Sequence, residues 1–134
     1  MCTSLTFTTD HTYFGRNLDL EYQFGQQVVI TPRNYPFSFQ AMPTLKKHYA
    51  IIGMATVAED YPLYAEGVNE KGLYMAGLNF PGNACYPCGS KDGTPAAPYE
   101  LIPWVLGSCD SVDQAEEKLR AVRILVGPVG GGGG

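Results

Sequence analysis

The chain has 134 residues, of which 45% are hydrophobic and 16% charged, with a formal net charge of −4 and a pI near 5.0. This length suits one modest domain with a hydrophobic core, and the acidic balance provides no basic patch for nucleic acid. No apolar run reaches the roughly 18 residues of a transmembrane helix and no signal-peptide pattern opens the sequence, so we expect a cytoplasmic protein without membrane contact.

The beginning of the chain predicts a β-hairpin. A strand is indicated over residues 2–9, where Leu5 and Phe7 share one side and Cys2 lies on the other. After a short turn the chain returns as a second strand over 13–17. We therefore expect the residues that end this second strand to lie close to the start of the chain.

The middle of the chain predicts further strands and a second hairpin. A strand is indicated at 27–31, and the near-continuous apolar run 49–57 is typical of a strand buried on both faces. Residues 63–68 and 73–79 flank a hairpin turn in which Gly72 is free to take a positive φ.

Helices come late in the chain. After a Pro- and Gly-rich loop over 81–98, residues 99–106 place Leu, Ile and Val on one helical face, with Pro103 expected to bend the helix. Ser111 and Gln114 match a capping box at the start of a second helix. Its apolar stripe consists of Val112, Ala115, Leu119 and Val122. Strands first and helices afterwards predict an α+β fold.

The cysteines are too few and too unevenly spaced for a disulfide framework; they are Cys2, Cys85, Cys88 and Cys109. Cys85 and Cys88 form a C-x-x-C, which is typical of a redox motif or of half a zinc site. A zinc site needs four ligands, but no second pair is present and His11 and His48 stand alone. We interpret the pair as reduced loop thiols and predict no metal site.

Cys2 directly follows Met1, which an aminopeptidase removes when the next side chain is small. The new N-terminus then carries a thiol with a reference pKa of about 8.5 and an α-amine with one of about 7.7–8.0. A nucleophile and a general base in one residue are the arrangement of N-terminal-nucleophile catalysis. A cysteine placed at position 2 by chance is the competing interpretation.

Three polar residues add to this hypothesis. Arg16 and Asp19 fall near the strand expected to pair with the first, where a cation favours a thiolate and a carboxylate holds an α-amine. Asn79 ends an apolar strand, where its amide is able to donate to a developing oxyanion. Taken singly, a surface arginine, a turn aspartate and an asparagine that caps the turn before Pro81 explain them without chemistry.

Four motifs, in order, carry a resemblance to a known family. They are Met-Cys-Thr at the start, Gly-Arg-Asn-Leu-Asp at 15–19, Glu-Gly-Val-Asn-Glu-Lys-Gly-Leu at 66–73 and Ala-Gly-Leu-Asn-Phe-Pro at 76–81. Together they resemble the choloylglycine hydrolase family, whose bile salt hydrolases and penicillin V acylases use an N-terminal cysteine nucleophile. The resemblance covers residues 1–126 and leaves the glycine-rich tail, 127–134, outside it.

The resemblance implies roles for these residues. Cys2 would be the nucleophile and its freed α-amine the proton acceptor and donor, with Arg16 beside the thiol and Asp19 binding the amine. Asn79 would line the oxyanion hole together with its backbone N–H, and an Asn at this position is typical of bile salt hydrolases, whereas penicillin V acylases have Tyr. The implied reaction is hydrolysis of the amide bond of conjugated bile salts through a thioester, without a metal or organic cofactor.

The resemblance also implies a pocket and a fold. Tyr22, Phe24 and Tyr61, in loops that border the pocket in the family, would form apolar walls for a steroid, and packing on their own neighbours is the competing interpretation. The implied fold is the N-terminal portion of an αββα four-layer sandwich. Family members are more than twice as long and commonly oligomeric, and a further active-site Asn and Arg lie in the part without a counterpart here. We therefore expect this chain alone to be inactive or weakly active.

Two other functions remain open from the sequence. A penicillin V acylase or an acyl-homoserine-lactone acylase would use the same chemistry with a different acyl pocket. A non-catalytic small-molecule binding module built on the strands would need no free cysteine at its N-terminus.

Overall fold

A computed structural model of the protein describes residues 1–79 and 92–125. The strands in these ranges are β1 (Thr3–Thr8), β2 (Thr12–Asn17), β3 (Gln27–Thr31), β4 (Ile51–Ala58), β5 (Tyr61–Tyr64), β6 (Glu66–Asn69), β7 (Tyr74–Ala76), β8 (Thr94–Ala96) and β9 (Val122–Ile124). A 3₁₀ turn at Pro98–Glu100 leads into the helices α1 (Leu101–Ser108) and α2 (Val112–Arg120). None of the helices in these ranges is long and apolar enough to span a membrane.

The strands form one larger sheet and two small ones. β1 and β2 pair antiparallel as a separate hairpin, which confirms the prediction for the beginning of the chain. The five-stranded sheet has the order β3-β4-β6-β7, and β5 also pairs with β4. β8 and β9 pair in parallel across the two helices. The predicted α+β class is therefore confirmed.

The hydrophobic core lies on the face of the five-stranded sheet that α1 covers. Ile51 of β4 is 1% exposed and belongs to the same buried cluster as Val105 and Leu106 of α1. The next residue, Ile52, is 43% exposed. The prediction that this strand is buried on both faces is therefore wrong, because within the described residues the helix covers only one of them.

The predicted hairpin in the middle of the chain is confirmed, with a division in its first strand. β6 and β7 pair antiparallel, and Gly72 in the turn has a φ of +84°. The single strand expected over 63–68 is interrupted at Ala65, whose N–H donates to the carbonyl of Met54 at 2.9 Å. The second strand ends at Ala76, so the residues up to Asn79 leave the sheet as an extended segment.

The region expected to be a loop over 81–98 contains a strand. Residues 80–91 lie outside the described ranges, but Thr94–Ala96 form β8, so the prediction is wrong at its end. β8 pairs with β9, which follows both helices in the chain. A strand whose pairing partner is so distant in sequence cannot be recognised from a local pattern.

The helix predicted at 99–106 begins later and continues through Pro103 to Ser108. A proline in the first turn is tolerated because helix positions there need no N–H donor.

The second helix begins where the sequence predicted, with one change in its cap. Ser111 Oγ accepts from the Gln114 N–H at 3.4 Å, but the Gln114 side chain accepts from the Asp110 N–H at 3.0 Å. The capping box is therefore only half formed.

The apolar stripe predicted for this second helix is only partly buried: Leu119 packs against the core, whereas Val112 is 71% exposed. Ala115 also packs against the core, and Val122 belongs to β9.

Glu70 links the turn after β6 to the segment after β3. Its carboxylate accepts from Arg33 Nε at 2.8 and 2.9 Å, and from the Ala50 N–H at 2.9 Å. These hydrogen bonds, with Arg33 the larger cause, lower the pKa of Glu70 to about 2. The ionised carboxylate therefore favours the folded chain over the unfolded one.

Replacing Glu70 with Gln is expected to change the pH dependence of stability. The Glu70 carboxyl has a lower pKa in the folded chain than in the unfolded chain. Its contribution to stability is therefore complete above the ordinary pKa of 4.5 and is lost as the pH falls toward about 2. The melting temperatures of the wild type and of Glu70→Gln, measured between pH 7 and pH 2, should therefore differ most at neutral pH and converge in acid. Glu116→Gln, in the exposed pair with Arg120, is the control. A difference in melting temperature that stays constant from pH 7 to pH 2 would contradict the prediction.

Candidate active site

Cys2 lies directly before β1 and is buried, although all six residues of that strand are exposed. Cys2 is 3% exposed, whereas Leu5 and Phe7 are 61% and 57% exposed. This agrees with the opposite orientations that the sequence alternation predicts. The Cys2 thiol is 3.9 Å from the carbonyl oxygen of Asp19, so the nucleophile candidate sits against the segment that follows β2.

The surroundings of Cys2 favour its thiolate. A backbone hydrogen bond from Asn79 lowers the pKa of the thiol most, and a backbone hydrogen bond from Asp19 and the positive charge of Arg16 add to the effect against the opposing cost of burial. Cys109, in the core, is a natural contrast because burial raises the pKa of its thiol. The neighbours of these two buried thiols therefore shift their pKa values in opposite directions, and the lowered pKa of Cys2 is the direction that favours a nucleophile.

Arg16 lies at the junction between the hairpin and the five-stranded sheet. Its side chain is 2% exposed, and its Nε lies 3.5 Å from Glu66 Oε2 on β6. Its Nη2 donates to the carbonyl of Gly77, two residues before Asn79. Within the described residues Arg16 Nε and Nη1 and Glu66 Oε2 are buried without a hydrogen-bond partner, so the contact between Nε and Oε2 is an ion pair without a hydrogen bond. The charge of Arg16 is near enough to lower the pKa of the Cys2 thiol, and its role beside the thiol stays a prediction. The sequence did not indicate that the Arg16 side chain is buried.

Asp19 binds the ammonium group at the start of the chain. Its carboxylate forms an ion pair with the Met1 amine, and this hydrogen bond raises the pKa of the amine. The Asn17 side chain fixes the same end by donating to the Met1 carbonyl at 3.2 Å and accepting from the Thr3 N–H. Asp19, whose carboxylate was predicted to hold the α-amine of Cys2, therefore contacts the amine of Met1, the residue directly before Cys2.

Asn79 reaches the thiol through its backbone. Gly77, two residues earlier, is held between the two sheets because its N–H donates to Ala65 at 2.9 Å and its carbonyl accepts from Arg16. Two residues further on, the Asn79 backbone is close enough to lower the pKa of the Cys2 thiol by hydrogen bonding. The residue itself is exposed, which leaves its side-chain amide open to a substrate.

An apolar pocket of about 270 Å³ lies beside these residues. It is lined by Leu18, Leu20, Phe24, Gln26, Thr56, Leu63 and Ala65. Leu18 adjoins Asp19 in the chain and Ala65 binds Gly77, so the pocket borders the segments that surround Cys2. Phe24 is one of the predicted wall residues, and Tyr22 packs edge-on against it at a ring distance of 6.4 Å while remaining 70% exposed.

Tyr61, the third predicted wall residue, is placed elsewhere. Its ring packs edge-on against Phe37 at 6.0 Å and against Tyr99 at 5.7 Å, next to the core cluster. Burial raises the pKa of its hydroxyl, which has no hydrogen-bond partner among the described residues. The structure therefore brings Tyr22 and Phe24 together but puts Tyr61 in an aromatic cluster.

The described residues contain another pocket away from the predicted site residues and no metal-binding cluster. A pocket of about 470 Å³ between Arg33, Lys71 and Ser108 contains none of the predicted site residues. Within residues 1–79 and 92–125 no three His, Cys, Asp or Glu side chains are grouped so as to hold a metal ion. Cys85 and Cys88 lie outside these ranges, and their interpretation as loop thiols stays a prediction.

Comparison with known sequences gives a consistent set of relatives. A profile of the linear amide C–N hydrolases of the choloylglycine hydrolase family matches residues 2–129. The bile salt hydrolase/transferase of Lactiplantibacillus plantarum is 44% identical over 93% of this chain, and that of Clostridium perfringens is 39% identical over 96%. These matches cover 39% and 40% of the two relatives, so the chain spans about two fifths of their length.

Solved structures agree with the sequence matches. A cysteine-to-alanine mutant of the conjugated bile acid hydrolase from Clostridium perfringens superimposes with a TM-score of 0.83 at 38% identity, over 92% of this chain and 39% of that one. An arginine-to-leucine variant of the same enzyme gives a TM-score of 0.82 at 36% identity, over 93% of this chain. The arrangement of strands and helices described above is therefore that of the corresponding part of a bile acid hydrolase.

Proposed function

The chain belongs to the choloylglycine hydrolase family of linear amide C–N hydrolases, and on that basis we propose that it serves hydrolysis of the amide bond of conjugated bile salts, with Cys2 as the nucleophile. The observation that carries the proposal is the environment of the Cys2 thiol, which backbone hydrogen bonds from Asn79 and Asp19 and the charge of Arg16 shift toward the thiolate. The names of the relatives support the substrate class.

The chemistry requires removal of Met1, which is 80% exposed. The freed neutral α-amine of Cys2 accepts the thiol proton, and the ammonium group that forms takes the place of the Met1 amine as the partner of Asp19 while the thiolate attacks the amide carbonyl. The Asn79 side chain and backbone N–H donate to the oxyanion that forms. Collapse breaks the C–N bond, the leaving amine takes the proton, and water then hydrolyses the thioester.

The apolar pocket beside the site supports a large hydrophobic acyl group. Leu18, Leu20 and Leu63 line it with Phe24, and a steroid nucleus is an acyl group that such walls accept. Tyr22 extends the same surface toward solvent. We propose these residues as acyl contacts, whereas Tyr61 packs in its aromatic cluster and does not line the pocket.

The remaining features of the proposal concern the whole protein. We place it in the cytoplasm, as a homo-oligomer in its full-length form, with residues 1–126 forming the N-terminal part of the catalytic domain and 127–134 a tail. In the described residues Val28 and Ile30 of β3 are each 68% exposed, a surface that suits burial under further layers of a sandwich. This polypeptide alone is therefore proposed to react at Cys2 with little or no turnover.

Acylation by three amides tests the proposed function. The purified chain, with its N-terminal residue identified by mass spectrometry, is incubated with glycocholate, taurocholate or penicillin V, and adducts on Cys2 are measured by intact mass. We expect bile-salt adducts to form faster than penicillin V adducts. The reverse order would identify a penicillin V acylase. Absence of every adduct, in a chain that lacks Met1 and whose Cys2 is readily alkylated, would favour a non-catalytic binding module.

A further inference from the structure

Arg16 is a buried cation, and its charge needs an anionic partner. Its side chain is 2% exposed, and removal of a guanidinium from water costs several kcal/mol unless a counter-ion compensates. Asp19, the nearest acidic residue along the chain, pairs with the Met1 amine instead. The acidic side chain that reaches Arg16 is Glu66, 18% exposed, with its Oε2 3.5 Å from Arg16 Nε.

The pair joins two sheets that share no strand pairing. Arg16 lies on β2 of the hairpin, opposite Ser4, and Glu66 lies on β6 of the five-stranded sheet, opposite Ala76. Two residues away on the same face of β2, Phe14 stacks on Tyr74 with a ring distance of 4.0 Å. Among the described residues, the Phe14–Tyr74 stack, the Arg16–Glu66 ion pair and the hydrogen bond from Arg16 to Gly77 thus help to dock the hairpin on the larger sheet and its continuation.

The backbone that carries Glu66 is held in place by close packing. A Cβ built on Gly53 of β4 would lie 2.1 Å from the Glu66 carbonyl oxygen, so only glycine permits this approach. On the other side β7 pairs with Glu66 through Ala76, directly before Gly77. The carboxylate therefore projects from a closely packed strand of the larger sheet toward a side chain on the hairpin.

We propose that Glu66 is a positioning residue: its carboxylate holds the Arg16 guanidinium beside the Cys2 thiol and against Gly77, so that the nucleophile and the Asn79 segment keep their relative position. This inference rests on the proposed function, since only a nucleophilic Cys2 gives that position a chemical purpose. Glu66 acts through Arg16 and is not itself placed at the reacting atoms.

Two effects of removing Glu66 have opposite signs, which makes the inference testable. If Arg16 stays in place without its counter-ion, its uncompensated charge stabilises the thiolate and Cys2 reacts faster. If Arg16 moves away, the thiol loses that charge and reacts more slowly. If Glu66 positions Arg16, the second result, a slower reaction of Cys2, is the one expected. A purely structural ion pair changes the melting temperature without changing the reactivity of the thiol in the folded chain.

The experiment measures the rate of iodoacetamide alkylation of Cys2 against pH, by mass spectrometry of the Cys2 peptide, in the full chain and its variants. We expect Glu66→Ala to slow the reaction at pH 7 about threefold to tenfold and Glu66→Gln, which removes the charge but keeps the size of the side chain, to slow it less. Glu70→Gln is the matched control, because it removes one carboxylate nearby that pairs with Arg33. Its Cys2 rate should equal that of the wild type.

Alkylation of buried Cys109 reports whether each variant is folded. If Cys109 is exposed in Glu66→Ala, that variant is unfolded and Glu66→Gln is used instead. Cys2 of Glu66→Gln is expected to be alkylated at least about twofold more slowly than Cys2 of the wild type. An unchanged or faster Cys2 rate in the folded variant overturns the proposal. Because alkylation needs no amide turnover, a chain that fails to cleave bile salts still gives a clear answer about Glu66.

Discussion

Replacing Cys2 with alanine is expected to abolish acylation by a conjugated bile salt. The wild-type chain without Met1 should form up to one thioester per molecule on incubation with glycocholate, and Cys2→Ala should form none. Loss of a nucleophile that acts together with its base typically lowers the rate by about 10⁴-fold or more. The measurement is the mass of the intact chain, with peptide mapping to locate the adduct.

Cys109→Ala is the matched control for that prediction. Cys109 is also buried, at 2% exposure, but burial raises the pKa of its thiol, whereas backbone hydrogen bonds lower that of Cys2. The control variant removes one buried thiol from the core and should acylate normally as long as it is folded. An adduct on Cys2→Ala, or an adduct that maps to Cys109 in the wild type, would contradict the assignment of Cys2.

Replacing Asn69 with alanine is expected to lower the free energy of unfolding by about 3–5 kcal/mol. Asn69 is 4% exposed, and its side chain is fully used. Its amide donates to the carbonyls of Leu106 at 2.8 Å and Cys109 at 2.7 Å, and its oxygen accepts from Lys71 and Leu73, each at 3.0 Å. Alanine leaves these backbone groups without partners and separates the β6–β7 hairpin from the end of α1.

Urea unfolding followed by circular dichroism tests this result. Small domains have total stabilities of about 5–15 kcal/mol, so a loss of this size should shift the midpoint strongly and unfold a large part of the population at 37 °C. Asn34→Ala, at an exposed position after β3, is the control and should change stability by about 0.5 kcal/mol or less. A small effect at Asn69 would show that water replaces its hydrogen bonds, and that the hairpin is held to α1 mainly by apolar packing.

Local patterns determined where the elements lie. The hairpin at the start, the strand at Gln27–Thr31 and the turn at Gly72 follow from alternation, β-branched residues and one glycine, all of which act over a few residues. The same short range explains why Cys2 was placed on the side opposite Leu5. The candidate nucleophile and the carboxylate of Asp19 were predictable because both belong to this hairpin and its immediate continuation.

Tertiary packing decided which faces are covered and which side chains meet. An apolar run such as that around Ile52 has the same pattern whether one face or two are buried, since burial depends on what packs against the strand. The pairing of Arg16 with Glu66, the parallel pairing of β8 with β9 and the position of Tyr61 in an aromatic cluster all join residues far apart in the chain. The sequence by itself determined the β1–β2 hairpin and the place of Cys2 at its start. Only the folded chain determined how Cys2, Arg16 and Asn79 come together, because that requires two separate sheets to dock.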